Sequence, residues 1–169
     1  RMDARASQTS FPQPERFGDL AAAGSDQESL RRLQHVVTIL RGQSEFGLAG
    51  KYNAMLAANA AHRGDRRYAA VAELNALGTR YDEGDEGALE ALRRARARQT
   101  DWYARVVADA LWARVLIDDR DAGAALRLLS ATEQTIPKGQ PETAPAEAAV
   151  WEMIGLSLMS LNDLDSSAA

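Results

Sequence analysis

Apolar residues recur at intervals of three and four along most of this chain, and short polar turns interrupt the pattern. Ala, Leu, Arg and Glu, which favour helices, are abundant, whereas runs of alternating β-branched and aromatic residues, which mark strands, do not occur. Short turns make successive helices antiparallel neighbours. The sequence therefore predicts an all-α protein of about seven helices.

Turn and capping residues locate these helices. Residues 1–24 contain polar residues and two prolines without a helical period, and we interpret them as a flexible arm. Ser25 and Glu28 have the spacing of a capping box, so the helical domain is expected to span residues 25–169. The predicted helices cover about residues 26–41, 45–63, 66–81, 86–98, 102–117, 124–134 and 146–161.

The last of these segments has the clearest pattern. Four large apolar residues share one helical face, which we expect to pack in the core: Trp151, Ile154, Leu158 and Leu161. Gly155 lies beside this face, where a missing side chain would let a neighbouring helix approach closely. A polar turn is expected at residues 162–163, followed by the first residues of another helix.

This segment resembles the tetratricopeptide repeat, in which a Trp, a Leu-Gly pair and a large residue precede a polar turn and small residues. A second copy of the pattern spans residues 109–137, and a fainter copy spans residues 52–77. The equivalent small residues are Ala57, Ala113 and Gly155, which lie 56 and 42 residues apart, against about 34 in the family. The resemblance implies a right-handed α-solenoid of antiparallel helix pairs.

Composition and motifs exclude several kinds of function. The net charge of −4 argues against a general nucleic-acid binder. The chain has no cysteine, and no apolar run approaches the ~20 residues of a membrane span. His35 and His62 lack the neighbouring ligands of a metal site, and no nucleophile or phosphate-binding motif occurs. We therefore expect a protein without catalytic activity, cofactor or metal.

The resemblance implies that the first helices of successive repeats line a groove that binds peptides or partner proteins. Transferred by position, the groove residues fall in three sets. They are Lys51, Met55 and His62 in the fainter copy, Arg114 and Asp118 in the second copy, and Glu152, Leu156 and Met159 in the last segment.

The expected function is that of a non-catalytic scaffold that binds a protein or peptide. The alternative is the N-terminal sensory region of a larger bacterial signalling protein such as a diguanylate cyclase, in the cytoplasm or the periplasm. The chain begins with Arg1, so we expect it to be part of a longer protein. The exposed side of its last helix would then be covered by a following helix or, in a homodimer, by a second copy.

Overall fold

The computed structural model describes residues 27–167, with side chains up to residue 162. The described residues form seven helices: α1 Gln27–Gly42, α2 Phe46–Arg63, α3 Arg66–Asp82, α4 Glu86–Arg98, α5 Trp102–Asp118, α6 Ala122–Glu133 and α7 Thr143–Ser167. The all-α prediction is confirmed, and apart from the end of α7 the predicted boundaries lie within three residues of these. The predicted arm and the Ser25 cap lie outside the described residues.

Aspartates at the turns cap the helices that follow them. Asp65, Asp85, Asp101 and Asp121 accept hydrogen bonds from backbone amides in the first turns of α3, α4, α5 and α6. Gly64 ends α2 in the left-handed conformation, with φ of 66°. Such caps satisfy amides and carbonyls that a helix end leaves unpaired, which explains why turn residues located these boundaries well.

The helices form two layers. Every helix packs against the next one in the chain, and α1, α3, α5 and α7 also contact one another in that order. Within the described part of the chain, the even-numbered helices do not contact each other. The odd-numbered helices begin at residues 27, 66, 102 and 143, which are 39, 36 and 41 residues apart.

This layering explains the uneven spacing of the sequence pattern. The fainter copy, residues 52–77, joins α2 to α3, although α2 lies in the other layer from α5 and α7. Pairs that begin at α1, α3 and α5 have a nearly regular period, and they include α4, which lies outside the three copies of the sequence pattern.

Buried apolar side chains from both layers form one continuous core; the largest include Tyr52, Tyr68, Leu33, Leu74, Leu92 and Leu129. Beside this core, a hydrogen bond and an ion pair between polar side chains connect α1 with α3. The Asn75 amide donates to Gln34 Oε1 at 2.5 Å, and the Arg41 guanidinium bonds Asp82 at 2.6 Å. The Arg41 guanidinium lies where a side chain at Gly78 would be, so a larger residue there would displace it.

The predicted turn at residues 162–163 is wrong, because α7 continues without interruption to Ser167. Neither Gly nor Pro occurs after Gly155 up to that residue, and Asn and Asp each cost less than about 1 kcal/mol in a helix. The helix also begins three residues earlier than predicted, at Thr143. Pro145 lies in its first turn, where its missing amide hydrogen disrupts no helical bond.

Candidate interaction surface

One side of α7 packs against α5 and α6 through small and medium-sized side chains. Ala146, Val150 and Ser157 are buried, with exposures of 1%, 0% and 0%. The Ser157 hydroxyl donates to the carbonyl of Met153 at 2.8 Å, so burying this polar group leaves it satisfied. Met153 and Ile154 border the buried row and pack against the core.

The opposite side of α7 carries large apolar side chains in solvent. We call Trp151, Leu156, Leu158 and Met159 the α7 apolar face; their exposures are 57%, 39%, 54% and 65%. They are four of the six exposed large hydrophobic residues in the part of the chain whose side chains are described. Contiguous exposed apolar patches on soluble proteins commonly mark interaction sites.

The prediction that Trp151 and Leu158 pack in the core is wrong. Smaller residues, including Ala146 and Ser157, form the buried side of α7 instead. Their short side chains allow α7 to pack closely against α5 and α6. Trp112 on α5, by contrast, is half-buried and packs against the core.

The predicted close approach at Gly155 is also wrong within this chain. A Cβ built on Gly155 meets no atom within 4 Å. This glycine lies between members of the α7 apolar face, one helical turn from an exposed acidic side chain, Glu152. The α7 apolar face therefore lacks a side chain near its middle, at Gly155, and the Glu152 carboxylate lies at its edge.

A buried ion pair anchors the beginning of α7 to α3. Glu142, the residue before α7, is 1% exposed, and its Oε2 lies 3.2 Å from Nη1 of Arg67. Arg67 also donates from Nε to Asp101 at 2.9 Å, and its guanidinium lies 5.4 Å from the centre of the Trp102 ring. Arg67 therefore connects α3 with the starts of α5 and α7.

Two buried tyrosines border this ion pair. The rings of Tyr68 and Tyr103 have their centroids 6.0 Å apart. Burial, reinforced by the negative charge of Glu142, raises the pKa of Tyr103 to about 12. Burial also raises the pKa of Tyr68, with smaller contributions from Tyr103 and Glu142. Within the described residues, the Tyr68 hydroxyl and Oε1 of Glu142 have no hydrogen-bond partner.

The raised tyrosine pKa values predict alkaline instability. An exposed tyrosine has a pKa near 10, so above pH 10 the unfolded chain loses its tyrosine protons before the native chain does. The tyrosines should therefore not change the free energy of unfolding below pH 10. Above pH 10 they should lower it progressively as the pH rises towards 12. Denaturant titrations from pH 8 to 12 measure this, and Tyr103→Phe should reduce the slope above pH 10. An unchanged slope would contradict the assignment.

The structure brings five of the eight predicted groove residues onto neighbouring helices. Glu152, Leu156 and Met159 are exposed on α7. Arg114 and Asp118 are exposed on α5, which α7 contacts, and they form an ion pair with Nε and Oδ1 3.2 Å apart.

The remaining three lie on α2, which contacts α1 and α3 but neither α5 nor α7. The Lys51 ammonium lies 5.0 Å from the centre of the Tyr52 ring. Met55 is half-buried against the core, and His62 is exposed in the last turn of the helix.

Sequence reasoning missed Trp151 and Leu158 as surface residues and missed the Arg67–Glu142 pair. A row of small residues including Ala146 and Ser157 was the available signal for the buried side of α7. The ion pair had no such signal, since its partners lie in distant segments of the chain.

Neither a metal site nor a membrane span was found in the described part of the chain. No group of three or more His, Asp or Glu residues among residues 27–162, whose side chains are described, could hold a metal ion. None of its helices is both long and apolar enough to cross a membrane. Comparison of the chain with protein-family models, with curated proteins and with solved structures found no match.

Proposed function

We propose that this chain is a protein-interaction module that binds an amphipathic helix on the α7 apolar face. The observation that carries this proposal is the exposure of Trp151, Leu156, Leu158 and Met159 on a single helix, at 39% to 65%. A helix with apolar residues at intervals of three and four could cover such a face and remove it from water.

The proposed scaffold is a tetratricopeptide-like solenoid. The layered packing and the nearly regular period of 39, 36 and 41 residues support this architecture. Contacts among odd-numbered helices, without equivalent contacts among even-numbered ones in residues 27–167, favour a stack that bends towards the odd layer. The α7 apolar face lies on the last odd-numbered helix of residues 27–167.

The anchoring of α7 supports a preorganised binding surface. Glu142 holds the start of the helix to Arg67, and Thr143 donates from its hydroxyl to the carbonyl of Pro137 at 2.6 Å. A second ion pair joins Lys138 in the preceding loop to Glu147 in the second turn. A surface that is ordered before binding loses less conformational entropy when a partner docks.

A displayed library of amphipathic helical peptides provides the test. We expect selection on the native protein to enrich peptides with apolar residues at positions i, i+3, i+4 and i+7. The selected peptides should bind with micromolar dissociation constants. Trp151→Ser should weaken the binding of the selected peptides at least tenfold, because truncating a central aromatic residue commonly costs about 2 kcal/mol or more. Fluorescence anisotropy at protein concentrations of a few micromolar measures the affinities.

Leu89→Ser is the matched control, because Leu89 is 38% exposed on α4, outside the α7 apolar face. This variant should leave peptide affinity unchanged. Peptides that bind Trp151→Ser as tightly as the native protein would refute the proposed function.

A further inference from the structure

We propose that the helix bound by the α7 apolar face is α7 of a second copy of this chain, antiparallel to the first and crossing it at Gly155. This inference rests on the surface in the proposed function and adds the identity and orientation of the partner. The glycine, the helix dipoles and the apolar area support it independently.

Gly155 is unexplained by the packing within one chain. Glycine in the interior of a helix is destabilising relative to alanine, and the space beside Gly155 is open in residues 27–162. At a crossing point between two helices, the missing side chain would let the backbones approach closely. An antiparallel pair with its two-fold axis at Gly155 gives this residue such a role in both copies.

The helix dipoles favour the antiparallel orientation. A helix carries a partial positive charge at its N-terminus and a partial negative charge at its C-terminus, so a parallel pair places like charges side by side and an antiparallel pair places opposite charges side by side. In the antiparallel pair, residue 152 lies opposite residue 158, so the two Glu152 carboxylates are separated by about 9 Å along the helix axis. Trp151 then lies beside Leu158 of the second copy, so two exposed apolar side chains cover each other in both halves of the pair.

The available area predicts a weak dimer. At exposures of 39% to 65%, the four side chains present on the order of 400 Å² of apolar surface per chain, since a large side chain buries ~150–250 Å². Two copies with their flanking residues approach the ~1,000 Å² that a specific interface requires. We therefore expect a dissociation constant on the order of 10–100 µM.

Sedimentation velocity from 5 to 500 µM tests the association. The native chain should pass from monomer to dimer within this range. Trp151→Ser and Gly155→Leu should each weaken the dimer at least tenfold. Gly155→Leu should not lower Tm at 5 µM, because its side chain meets open space within the monomer. Leu89→Ser is the matched control and should dimerise as the native chain does.

Disulfide cross-linking tests the orientation, since the chain has no native cysteine. Ala148 and Asn162 are exposed, and the antiparallel register places each of them opposite the other. A mixture of Ala148→Cys and Asn162→Cys chains should form mixed disulfides under mild oxidation, at least tenfold faster than Ala148→Cys alone. In the single-variant dimer, the two cysteines would lie about 21 Å apart along the axis, beyond disulfide reach.

The outcomes separate the two proposals. If the native chain remains monomeric at 500 µM, the proposed dimer is refuted. It is also refuted if the Trp151→Ser variant dimerises as tightly as the native chain. Faster cross-linking of Ala148→Cys alone than of the mixture refutes the antiparallel register. If the chain is monomeric yet still binds helical peptides through Trp151, the proposed function stands and only the second copy is excluded.

Discussion

Arg67→Ala should destabilise the protein by about 3–5 kcal/mol, because it leaves the buried carboxylate of Glu142 without its charged partner. The same change removes the hydrogen bond to Asp101 and the cation beside the Trp102 ring. The expected result is a lower denaturation midpoint in urea, with an m-value close to that of the native protein. Fluorescence and far-UV circular dichroism should report the same transition.

Two further variants determine whether the lost charge partner is responsible. Replacing Arg67 and Glu142 together by Met should recover most of the loss, because the carboxylate no longer has to be buried without a partner. Arg98→Ala removes an exposed ion pair with Glu73, 2.9 Å long, and should cost less than about 1 kcal/mol. If Arg67→Ala costs no more than Arg98→Ala, the ion pair is not a significant source of stability.

Asp109→Ala should produce the second large loss, about 2–4 kcal/mol, because Asp109 is 4% exposed and joins three helices. On α5, its carboxylate accepts hydrogen bonds from Arg96 of α4 at 2.5 Å and from the Thr132 hydroxyl of α6 at 2.9 Å. Arg105 of the same helix adds a third contact at 3.3 Å. Without Asp109, the half-buried Arg96 guanidinium loses the partner that compensates its desolvation.

Asp118→Ala is the matched control for this prediction, since Asp118 lies on the same helix and pairs with Arg114 at the surface. It should change the free energy of unfolding by less than about 1 kcal/mol. Asp109→Asn should fall between the two, because the amide can still accept a hydrogen bond but carries no charge. Equal losses from Asp109→Ala and Asp118→Ala would contradict the prediction.

The boundaries of most helices could be predicted because they depend on nearby residues. Asp65, Asp85, Asp101 and Asp121 cap helices through amides two or three residues away. Gly64 ends a helix through its own backbone conformation. Each of these interactions is complete within one turn of the chain, so the sequence pattern contained the whole signal.

The candidate surface was only partly predictable. Glu152, Leu156 and Met159 were expected on the groove side of the last helix and are exposed, whereas Trp151 and Leu158 were expected in the core. Apolar periodicity shows that a helix is amphipathic, but α7 has apolar residues around most of its circumference. Which of them are buried depends on the shapes of α5 and α6, and a row of small residues fits closest to them.

The amino-acid sequence by itself determined the all-α class and most ends of the seven helices in residues 27–167, through capping, propensity and periodicity. Only the tertiary structure decided that α2 belongs to a different layer from α5 and α7. It also decided that Glu142 pairs with Arg67 and that Trp151 faces solvent. The physical reason is distance along the chain. Packing and buried ion pairs join residues of separate helices, and a local sequence pattern does not show which of these residues come into contact.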